Sequence, residues 1–377
     1  MNWIETEVTP SSLAELSEVL GSDGGARPWM PKGGGTLLGR GALPREPVAA
    51  VQLSRCRAVI EHAYDDLTVT VEAGLPMASL QESLSERGQW LPLSLDPDPE
   101  STVGGWIGAD RRTPLAGSWG SVRDYLLGIA WMDGRGHTVR AGGRVVKNVA
   151  GYDLMKLFTG SLGELGIIVE ATFKVLPRPA RWGGVTLATP DAIELRVALE
   201  EGPKLFPAGL WRFDGGEGDT LAWVFAGSPP CVSAQLRRAQ ALMNGAGRIL
   251  NDEETLNLVA ALERDSRPES DPVAWGGALP EWLCHPGLGA VFDSHSWCAD
   301  LMRGHFWARW MGNESALERA RNALRSGVGH LHLDAPSAHP FANPWGERGD
   351  SVEILTGLKR ALDPEGRFVE GRWPVSR

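Results

Sequence analysis

Glycine is concentrated in four short segments of the N-terminal half, and this feature most limits how the chain can fold. The segments are PKGGGTLLG (31–39), DPDPESTVGGWIGAD (96–110), GSWGSVRD (117–124) and GSLGELGIIVE (160–170). An interior glycine costs about 0.5–1 kcal/mol relative to alanine, so four unrelated turns explain this concentration poorly. Backbone amides without side chains around them can surround phosphate oxygens. We therefore expect the four loops to converge on one large, flat, anionic ligand.

The common phosphate motifs do not describe these loops. Residues 33–35 are glycines, but no Gly-Lys-Ser/Thr follows them, and their spacing to Gly39 does not satisfy GxGxxG. A triple glycine alone is as often an ordinary turn. The pattern argues against a P-loop and against a Rossmann dinucleotide site.

Composition and charge indicate a folded protein of several domains that does not bind nucleic acid. A chain of 377 residues with 42% hydrophobic and 22% charged residues should fold into two or three domains. The formal charge of −10 argues against nucleic-acid partners, which require a clustered excess of Lys and Arg. One stretch is locally basic, and it could hold a polyanionic cofactor or form a solvated face. Its cations are Arg111, Arg112, Arg123, Arg135, Arg140, Arg144 and Lys147.

The four cysteines show no CxxC spacing, so no zinc site or iron–sulfur cluster is recognisable. The N-terminus has no signal-peptide pattern, and no run of eighteen apolar residues predicts a transmembrane helix. We expect a cytoplasmic protein, and a peripheral attachment to the inner membrane through partners stays open.

Local patterns predict the order of elements. Residues 11–20 and 75–88 are typical of helices and residues 48–53 and 68–72 of strands, giving an order α-β-β-α, while residues 92–120 predict a long loop. Strands are predicted at 125–133, 137–143 and 166–177, and a short helix at 150–161. A boundary is expected at 177–184, followed by a Trp-rich region with helices at 232–244 and 315–326 and a final helix returning to the first region. Its tryptophans favour core packing over a substrate cage.

The order of these motifs resembles the FAD-binding domain of the vanillyl-alcohol-oxidase family of flavoproteins, and within it the E subunits of bacterial glycolate oxidases. The most specific block is KNVAGYDLMKLFTGSLGELGI, and the resemblance covers residues 25–179 and the last 25 residues. It implies an α+β fold with a two-subdomain, PCMH-type FAD-binding domain (1–179), a short α+β cap domain (180–340) and a C-terminal segment (341–377) that returns to the FAD domain.

The resemblance also implies where FAD binds. Lys147, Asn148 and Tyr152 match a segment near the flavin edge, although a surface loop and a core tyrosine would also explain them. No histidine lies in or beside the triple-glycine loop, so we expect non-covalent FAD. The implied cofactor contacts are Lys32, Gly33, Gly34, Gly35, Thr36, Leu37, Pro97, Ser101, Thr102, Val103, Gly104, Gly105, Gly120, Ser121, Asp124, Lys147, Asn148, Gly151, Tyr152, Gly160, Gly163, Gly166, Ile167 and Ile168.

Two departures weaken parts of this prediction. The closing Asn-Pro-Gly-Arg of larger relatives is replaced by residues 369–372, VEGR, which puts a C-terminal flavin contact in doubt. His330 and His332 are the only residues that resemble the His-rich cap motif of catalytic relatives, and we expect no metal there. No catalytic residue can be assigned, although Arg212, Arg303 and Arg309 could each bind a substrate carboxylate.

The expected function is that of an FAD-dependent oxidoreductase subunit that oxidises glycolate, or a similar 2-hydroxy acid, at its CH–OH group. Electrons would pass through the flavin to partners, which the resemblance implies are a second flavoprotein subunit and an iron–sulfur subunit. A non-catalytic FAD electron relay or scaffold in the same kind of complex is the nearest rival. A docking subunit that has lost its flavin also stays open, as does a reductase of the cell-wall enolpyruvyl type, for which the catalytic Ser and Glu cannot be placed.

Overall fold

The computed structural model of the chain describes residues 3–22, 27–143, 153–216, 218–268, 271–285, 288–292, 294, 296–326, 329–334 and 352–373. In the N-terminal region the strands are β1 (Ile4–Val8), β2 (Trp29–Lys32), β3 (Val48–Gln52), β4 (Val59–Ala63), β5 (Thr68–Glu72), β6 (Gln89–Trp90), β7 (Leu126–Met132), β8 (Thr138–Gly142), β9 (Ile167–Lys174) and β10 (Leu176–Pro177). Its helices are α1 (Leu13–Ser22), α2 (Met77–Ser85), α3 (Val103–Ala109), α4 (Ala116–Trp119), α5 (Val122–Tyr125) and α6 (Met155–Phe158), with a 3-10 turn at Tyr64–Asp66.

These strands form two main sheets. A parallel sheet has the order β1-β3-β2, and an antiparallel sheet has the order β4-β5-β9-β7-β8. The Val- and Thr-rich β5 lies inside the second sheet and is buried along most of its length, which suits its β-branched side chains. Helix α2 buries Met77, Leu80 and Leu84, a spacing that places all three side chains on one helical face. The two sheets share one hydrophobic core.

The following region is built on one large antiparallel sheet. Its strand order is β14-β11-β13-β12-β16-β17-β15-β18. The strands are β11 (Arg181–Ala188), β12 (Gly209–Asp214), β13 (Asp219–Gly227), β14 (Arg248–Leu250), β15 (Val273–Gly277), β16 (Trp297–Asp300), β17 (His305–Arg309) and β18 (His330–Asp334). The helices are α7 (Ala192–Glu201), α8 (Pro229–Leu242), α9 (Asp252–Asp265), α10 (Pro280–Leu283), α11 (Leu288–Phe292) and α12 (Glu314–Ser326), with a 3-10 turn at Pro203–Leu205.

Tryptophan side chains join the two regions. Trp90 packs edge-on against Trp119 at 5.2 Å and against Trp182 at 5.8 Å between ring centroids. The same core continues over one face of the large sheet through Trp211 and Trp275. The preference for packing is confirmed for seven buried tryptophans among the described residues of the second region, while Trp282 is partly exposed. The buried seven are Trp182, Trp211, Trp223, Trp275, Trp297, Trp307 and Trp310.

The last helix, α13 (Val352–Leu362), leads the chain back to the first sheet. Phe368 bridges to Trp29 on β2, and the backbone N–H of Trp29 donates to the carbonyl of Arg367 at 2.7 Å. The predicted return of the C-terminus therefore matches these contacts. In the described part of the chain, no helix is long and apolar enough to cross a membrane.

Two sequence predictions about elements are wrong. The first elements are not ordered α-β-β-α, because β1 precedes α1 and the exposed edge strand β4 precedes β5. Residues 92–120 are not one loop, since α3 and α4 lie within them. Helix α3 is not predicted from its sequence because its three glycines disfavour a helix. The helix forms because Thr102 caps it and because Trp106 and Ile107 are buried.

Candidate functional site

Three of the four glycine-bearing segments line one open cleft of about 820 Å³, part of which is open to solvent. The cleft lies at the C-terminal end of β2, beside α3 and the start of β9. The lining residues are Pro31, Lys32, Gly33, Gly34, Gly35, Thr36, Leu37, Leu38, Leu53, Ala73, Gly74, Ser101, Thr102, Gly104, Gly105, Trp106, Gly108, Ala109, Ser161, Leu162, Gly163, Gly166, Ile168 and Arg372.

The first two segments pack directly on each other. A Cβ atom at Gly34 would lie 1.7 Å from the carbonyl oxygen of Glu100, and one at Gly33 would lie 2.2 Å from Oγ1 of Thr102. Any larger residue at either position would push the two loops apart. Glycine is therefore required at these positions for two reasons: the loops pack closely, and the absence of side chains keeps the cleft open.

The triple-glycine loop also has free donors. Within the described residues, the backbone N–H groups at positions 34–37 donate to no protein acceptor. Gly35 adopts a φ of +84°, which glycine tolerates and which helps turn successive amides inward. Unpaired amides on a loop after a strand are suited to phosphate oxygens, so the site fits a ligand that carries a diphosphate.

The third wall comes from the loop before β9. Gly163 has a φ of +82°, and a Cβ atom there would lie 2.6 Å from Cδ of Pro31. This contact brings residues 161–166 against the end of β2, and Ile168 continues the wall into the sheet. The three walls come from segments that are far apart in sequence and adjacent in the fold.

Not every expected cofactor contact lies in the cleft. Thirteen line it: Lys32, Gly33, Gly34, Gly35, Thr36, Leu37, Ser101, Thr102, Gly104, Gly105, Gly163, Gly166 and Ile168. Val103 and Ile167 are core residues, Gly160 accepts a hydrogen bond from Trp373, and Pro97 lines a neighbouring cleft. Lys147, Asn148, Gly151 and Tyr152 lie outside the described residues.

The fourth glycine segment has a local structural role. Ser121 and Asp124 form a capping box at the start of α5, with the Ser121 N–H donating to Asp124 Oδ2 at 2.7 Å. Gly120 has a φ of +94° and precedes this cap. None of the three lines the cleft. The helix cap accounts for the local conformation of this segment, and its convergence with the other three on one ligand stays a prediction.

The sequence prediction missed Arg372 and a group of apolar and small residues that complete the walls. Arg372 lies in the VEGR segment where a C-terminal contact was doubted, and it lines the cleft. The sequence signal that could have identified Arg372 is the Gly-Arg pair, which this chain shares with the closing Asn-Pro-Gly-Arg of larger relatives. The others missed are Pro31, Leu38, Leu53, Ala73, Gly74, Trp106, Gly108, Ala109, Ser161 and Leu162, whose residue types carry no signal for binding.

A polar cluster lies where the two regions meet, next to the end of the cleft. Gly108 and Ala109 line the cleft, and the chain then turns at Asp110 towards Arg112. An Arg112 guanidinium nitrogen lies 3.1 Å from Nε2 of His305 on β17, and another donates to Asp110 Oδ2 at 3.4 Å. The cluster therefore combines side chains from both regions that are distant in sequence.

Two histidines lie on either side of a glycine in the large sheet. Gly277 on β15 pairs with His305 on β17 and with His330 on β18. Since directly opposite residues share a face, no side chain separates the two imidazoles. A Cβ atom at Gly277 would lie 3.0 Å from Cε1 of His330. The glycine thus leaves a small polar recess lined by histidine.

The electrostatics of this recess keep its histidines neutral. Burial, followed by the positive charge of Arg112, lowers the pKa of His305 to about 4. Because a guanidinium can only donate, Nε2 of His305 must carry the lone pair and Nδ1 the proton. Burial also holds the pKa of His332 well below its usual range, with Arg40 acting in the same direction. Near neutral pH the cluster combines cationic arginine with uncharged imidazole.

A buried ion pair fixes the glycine loop to the large sheet. Arg40, directly after the loop, donates to Asp334 Oδ2 on β18 at 3.3 Å, and both side chains are buried. Burial raises the pKa of Asp334, while Arg40 opposes that change. The pair holds the end of the cleft against the strand that carries His330 and His332.

The other proposed arginines are placed elsewhere. Arg212 is buried, and it donates to Asp219 and to the carbonyls of Leu283 and His285. Neither Arg303 nor Arg309 lines the cleft, and Arg303 is exposed in the turn between β16 and β17. Among the described residues, no three His, Cys, Asp or Glu side chains are grouped to hold a metal ion.

The basic stretch noted in the sequence does not form one surface. Arg111 is buried and donates to Ser266, whereas Arg135 and Arg140 form exposed ion pairs with Glu365 and Glu170. Of the described cations in this stretch, Arg112 is the one that enters the histidine recess. Because most of the described cations have partners of their own, the structure favours separately paired side chains over one polyanion site along this stretch.

Comparisons with known proteins agree with this geometry. Residues 5–142 match the family described as FAD binding domain. The chain is 32% identical over 257 residues to glycolate oxidase subunit GlcE of Escherichia coli, which covers 61% of this chain and 69% of that protein. It is 33% identical over 177 residues to glycolate oxidase subunit GlcD of Bacillus subtilis, covering 46% of this chain and 37% of that protein. A D-2-hydroxyglutarate dehydrogenase of Stutzerimonas stutzeri is 29% identical over 43% of this chain and 35% of its own length.

Structural similarity extends over almost the whole chain. An alkyldihydroxyacetonephosphate synthase superposes with a TM-score of 0.67 over 96% of this chain and 75% of that one, at 16% sequence identity. At this identity the similarity concerns the fold alone. It confirms the expected α+β, PCMH-type fold, while the matched FAD binding domain and the GlcE relative confirm FAD as the cofactor. The match spans only about a third of the length of the GlcD subunit and of the D-2-hydroxyglutarate dehydrogenase.

Proposed function

The chain belongs to the FAD-binding flavoprotein family that contains glycolate oxidase subunit GlcE, and we propose that it oxidises glycolate, or a similarly small 2-hydroxy acid, as one subunit of a complex. The observation that carries this proposal is the Arg112–His305 contact beside the cleft. A carboxylate-binding cation and a neutral base are the two groups that oxidation of a 2-hydroxy acid requires from the protein.

We propose that FAD is held non-covalently in the cleft. Its diphosphate would lie against the amides of residues 34–37, and the loop at 101–105 and the wall at 163–168 would hold the remainder. The absence of acidic side chains from the described lining supports this assignment. So does the loop of unpaired amides, which matches phosphate better than any neutral ligand.

Arg112 and His305 would act on the substrate in sequence. Arg112 is partly exposed and would bind the substrate carboxylate through its guanidinium. That contact would draw Arg112 away from Nε2 of His305, freeing the lone pair to accept the hydroxyl proton. FAD, when bound, supplies the acceptor for the hydride that leaves the carbon bearing this hydroxyl group. The lowered pKa of His305 keeps its lone pair unprotonated, and so available to the hydroxyl proton, over the working range.

The electrons would leave through other subunits. The four cysteines have no spacing for a cluster, and two of the four, Cys56 and Cys298, are buried as separate thiols. We therefore propose a second flavoprotein subunit and an iron–sulfur subunit as partners. A non-catalytic relay differs in one respect: its flavin would not be reduced by substrate in the isolated chain.

The test is anaerobic reduction of the bound flavin after mixing the purified chain with glycolate, followed by visible absorbance. Arg112→Met should lower kcat/KM for flavin reduction about 100-fold by removing the carboxylate contact. His305→Gln should lower the rate constant about 100- to 10,000-fold by removing the base. Arg319→Met, on the exposed face of α12, is the matched control and should not change either value.

The pH dependence gives a second readout of the same assignment. Protonation of His305 would abolish its basicity, so the reduction rate should be level near neutrality and fall as pH drops through about 4. Loss of this acidic limb in His305→Gln is expected. Normal reduction by glycolate in both variants would contradict the assignment, and no reduction of the wild-type flavin would favour the relay.

A further inference from the structure

Residues near the end of the chain form a strap beside the cleft, and one of them, Arg372, lines it. We use the name C-terminal strap for residues 367–373. Its Val369 N–H donates to the carbonyl of Trp29 on β2 at 2.8 Å, and the carbonyl of Arg372 accepts from Ala42 N at 3.1 Å. The strap therefore runs from the parallel sheet to the segment that follows the triple-glycine loop.

The last residues of the strap are fixed to the third glycine segment. Oε1 of Glu164 accepts from the backbone N–H groups of Arg372 at 2.7 Å and Trp373 at 2.8 Å. The indole N–H of Trp373 donates to the carbonyl of Gly160 at 3.1 Å. Glu164 has 0% exposure, so a buried carboxylate is committed to holding this piece of backbone. The consequence is a defined position for the side chain of Arg372.

Arg372 enters the cleft from the strap. Only 3% of the residue is exposed, and its guanidinium donates to the carbonyl of Leu38 at 2.8 Å and to that of Arg40. The Leu38 carbonyl lies in the glycine loop and the Arg40 carbonyl directly after it, and the loop amides at 34–37 are unpaired within the described residues. Arg372 thus braces the carbonyl side of the same loop that presents open donors.

The charge of Arg372 is retained despite its burial. Burial lowers the pKa of Arg372 to about 10, and Glu164 opposes this change, so the group stays protonated near neutral pH. Arg372 therefore places a positive charge in the lining of the cleft. Among the described lining residues no side chain is acidic, and the other cation, Lys32, pairs with Glu7 at 2.7 Å near the surface.

We propose that Arg372 is a further cofactor-binding residue, and that its guanidinium neutralises the diphosphate of the bound nucleotide. The inference rests on FAD binding in the cleft and not on oxidation of a 2-hydroxy acid. It assigns the strap a function: the strap carries a cation to the phosphate loop and fixes that loop at the same time. Glu164 is the residue that positions it.

The experiment is a calorimetric titration of ADP into the full-length chain after its flavin has been removed. ADP carries the diphosphate without a flavin ring, and no substrate turnover is involved. Arg372→Gln keeps amide donors for the two loop carbonyls and removes the charge, so we expect ADP affinity to fall about tenfold or more. Arg372→Lys keeps the charge and loses the forked geometry, and it should bind within about threefold of wild type.

Arg45→Met is the matched control. Arg45 is an exposed arginine beside the strap that pairs with Glu370 at 2.7 Å and does not line the cleft. Its removal changes the net charge equally and should leave ADP affinity unchanged. If Arg372→Gln does not fold, Arg372→Lys is the fallback: a loss of ADP affinity of more than about tenfold in that folded variant, which keeps the charge, would contradict the proposal.

Two results would overturn the proposal. Equal ADP affinity in Arg372→Gln and wild type would show that the charge does not act on the diphosphate. Unchanged ADP affinity with a shifted midpoint potential of the FAD-loaded variant would place the charge at the flavin ring instead. Failure of glycolate oxidation in the wild type would affect neither measurement.

Discussion

Asp300 shows how burial at a junction changes the behaviour of one residue. It ends β16 facing Gly117 of α4, where a Cβ atom would lie 1.6 Å from Asp300 Oδ2. Oδ1 accepts from Met302 N at 2.7 Å, whereas Oδ2 has no partner within the described residues. Burial raises the pKa of this carboxyl to about 7, and the backbone hydrogen bonds only partly oppose the rise. The carboxyl therefore stays protonated in the folded chain at mildly acidic pH.

This raised pKa makes stability depend on pH. The unfolded carboxyl ionises above its ordinary value near 4, whereas the folded one ionises only near 7, so stability should decrease as pH rises through that interval. Asp300→Asn should stabilise the chain by about 1–3 kcal/mol at pH ~8 and by little at pH ~4.5. Urea unfolding of both proteins at the two pH values measures the difference. An equal effect at both would contradict the assignment.

Residue roles were only partly readable from the sequence. The glycines at 33–35 and 163 could be predicted to bind a ligand because their type limits what can surround them. The Arg112–His305 contact could not, since it depends on the pairing of β15, β17 and β18. Arg372 was visible as a Gly-Arg pair, but its burial depends on Glu164, which pattern analysis gave no reason to single out.

At the scale of elements, helix α9 ties the large sheet to the loop before α3. It begins with a capping box formed by Asn251 and Glu254, and near its end it directs Glu263 to the N-terminal region. The Glu263 carboxylate accepts from Ser94 Oγ at 2.7 Å and from the backbone N–H groups of Leu95 and Asp96 at 3.0 Å. One buried side chain therefore satisfies three donors across the junction.

Removal of Glu263 should loosen this junction. Glu263→Ala leaves one buried and two partly buried donors without their acceptor, so we expect a loss of about 2–4 kcal/mol in the free energy of unfolding. Glu263→Gln retains an acceptor oxygen and should lose less. Glu253→Ala, on the exposed part of the same helix, is the control and should change stability by only a few tenths. Chemical denaturation measures all three, and a loss in Glu263→Ala no larger than that of the control would refute this role.

Elements were predictable where packing follows local pattern. Helices α2, α8 and α12 have apolar spacing that matches one buried face, and each lies close to its expected range. Helix α13 also lies close to its expected range, although its one buried residue is Lys359. Helix α3 was missed because Gly104, Gly105 and Gly108 disfavour a helix in isolation. The edge strand β4 was missed because its side chains are largely exposed and do not alternate. In both cases neighbouring structure, absent from a local window, decides the outcome.

At the scale of the whole molecule, the cleft exists only when distant segments meet. The glycine loop, the α3 segment and the β9 loop come from the N-terminal region, while the strap brings the end of the chain to the same place. The large sheet closes the side next to Arg40 and contributes His305. The order of these segments in the sequence made an FAD fold recognisable, whereas the junction with the large sheet required the tertiary structure.

The central claim is that this cleft holds FAD without a covalent bond. The most direct test is the visible absorbance of the purified chain before and after acid precipitation, with the released cofactor identified by chromatography. We expect flavin bands that pass entirely into the supernatant as FAD, because no histidine lies in the loop at 31–39. A colourless protein that takes up no added FAD, or a flavin that stays in the pellet, would contradict the account.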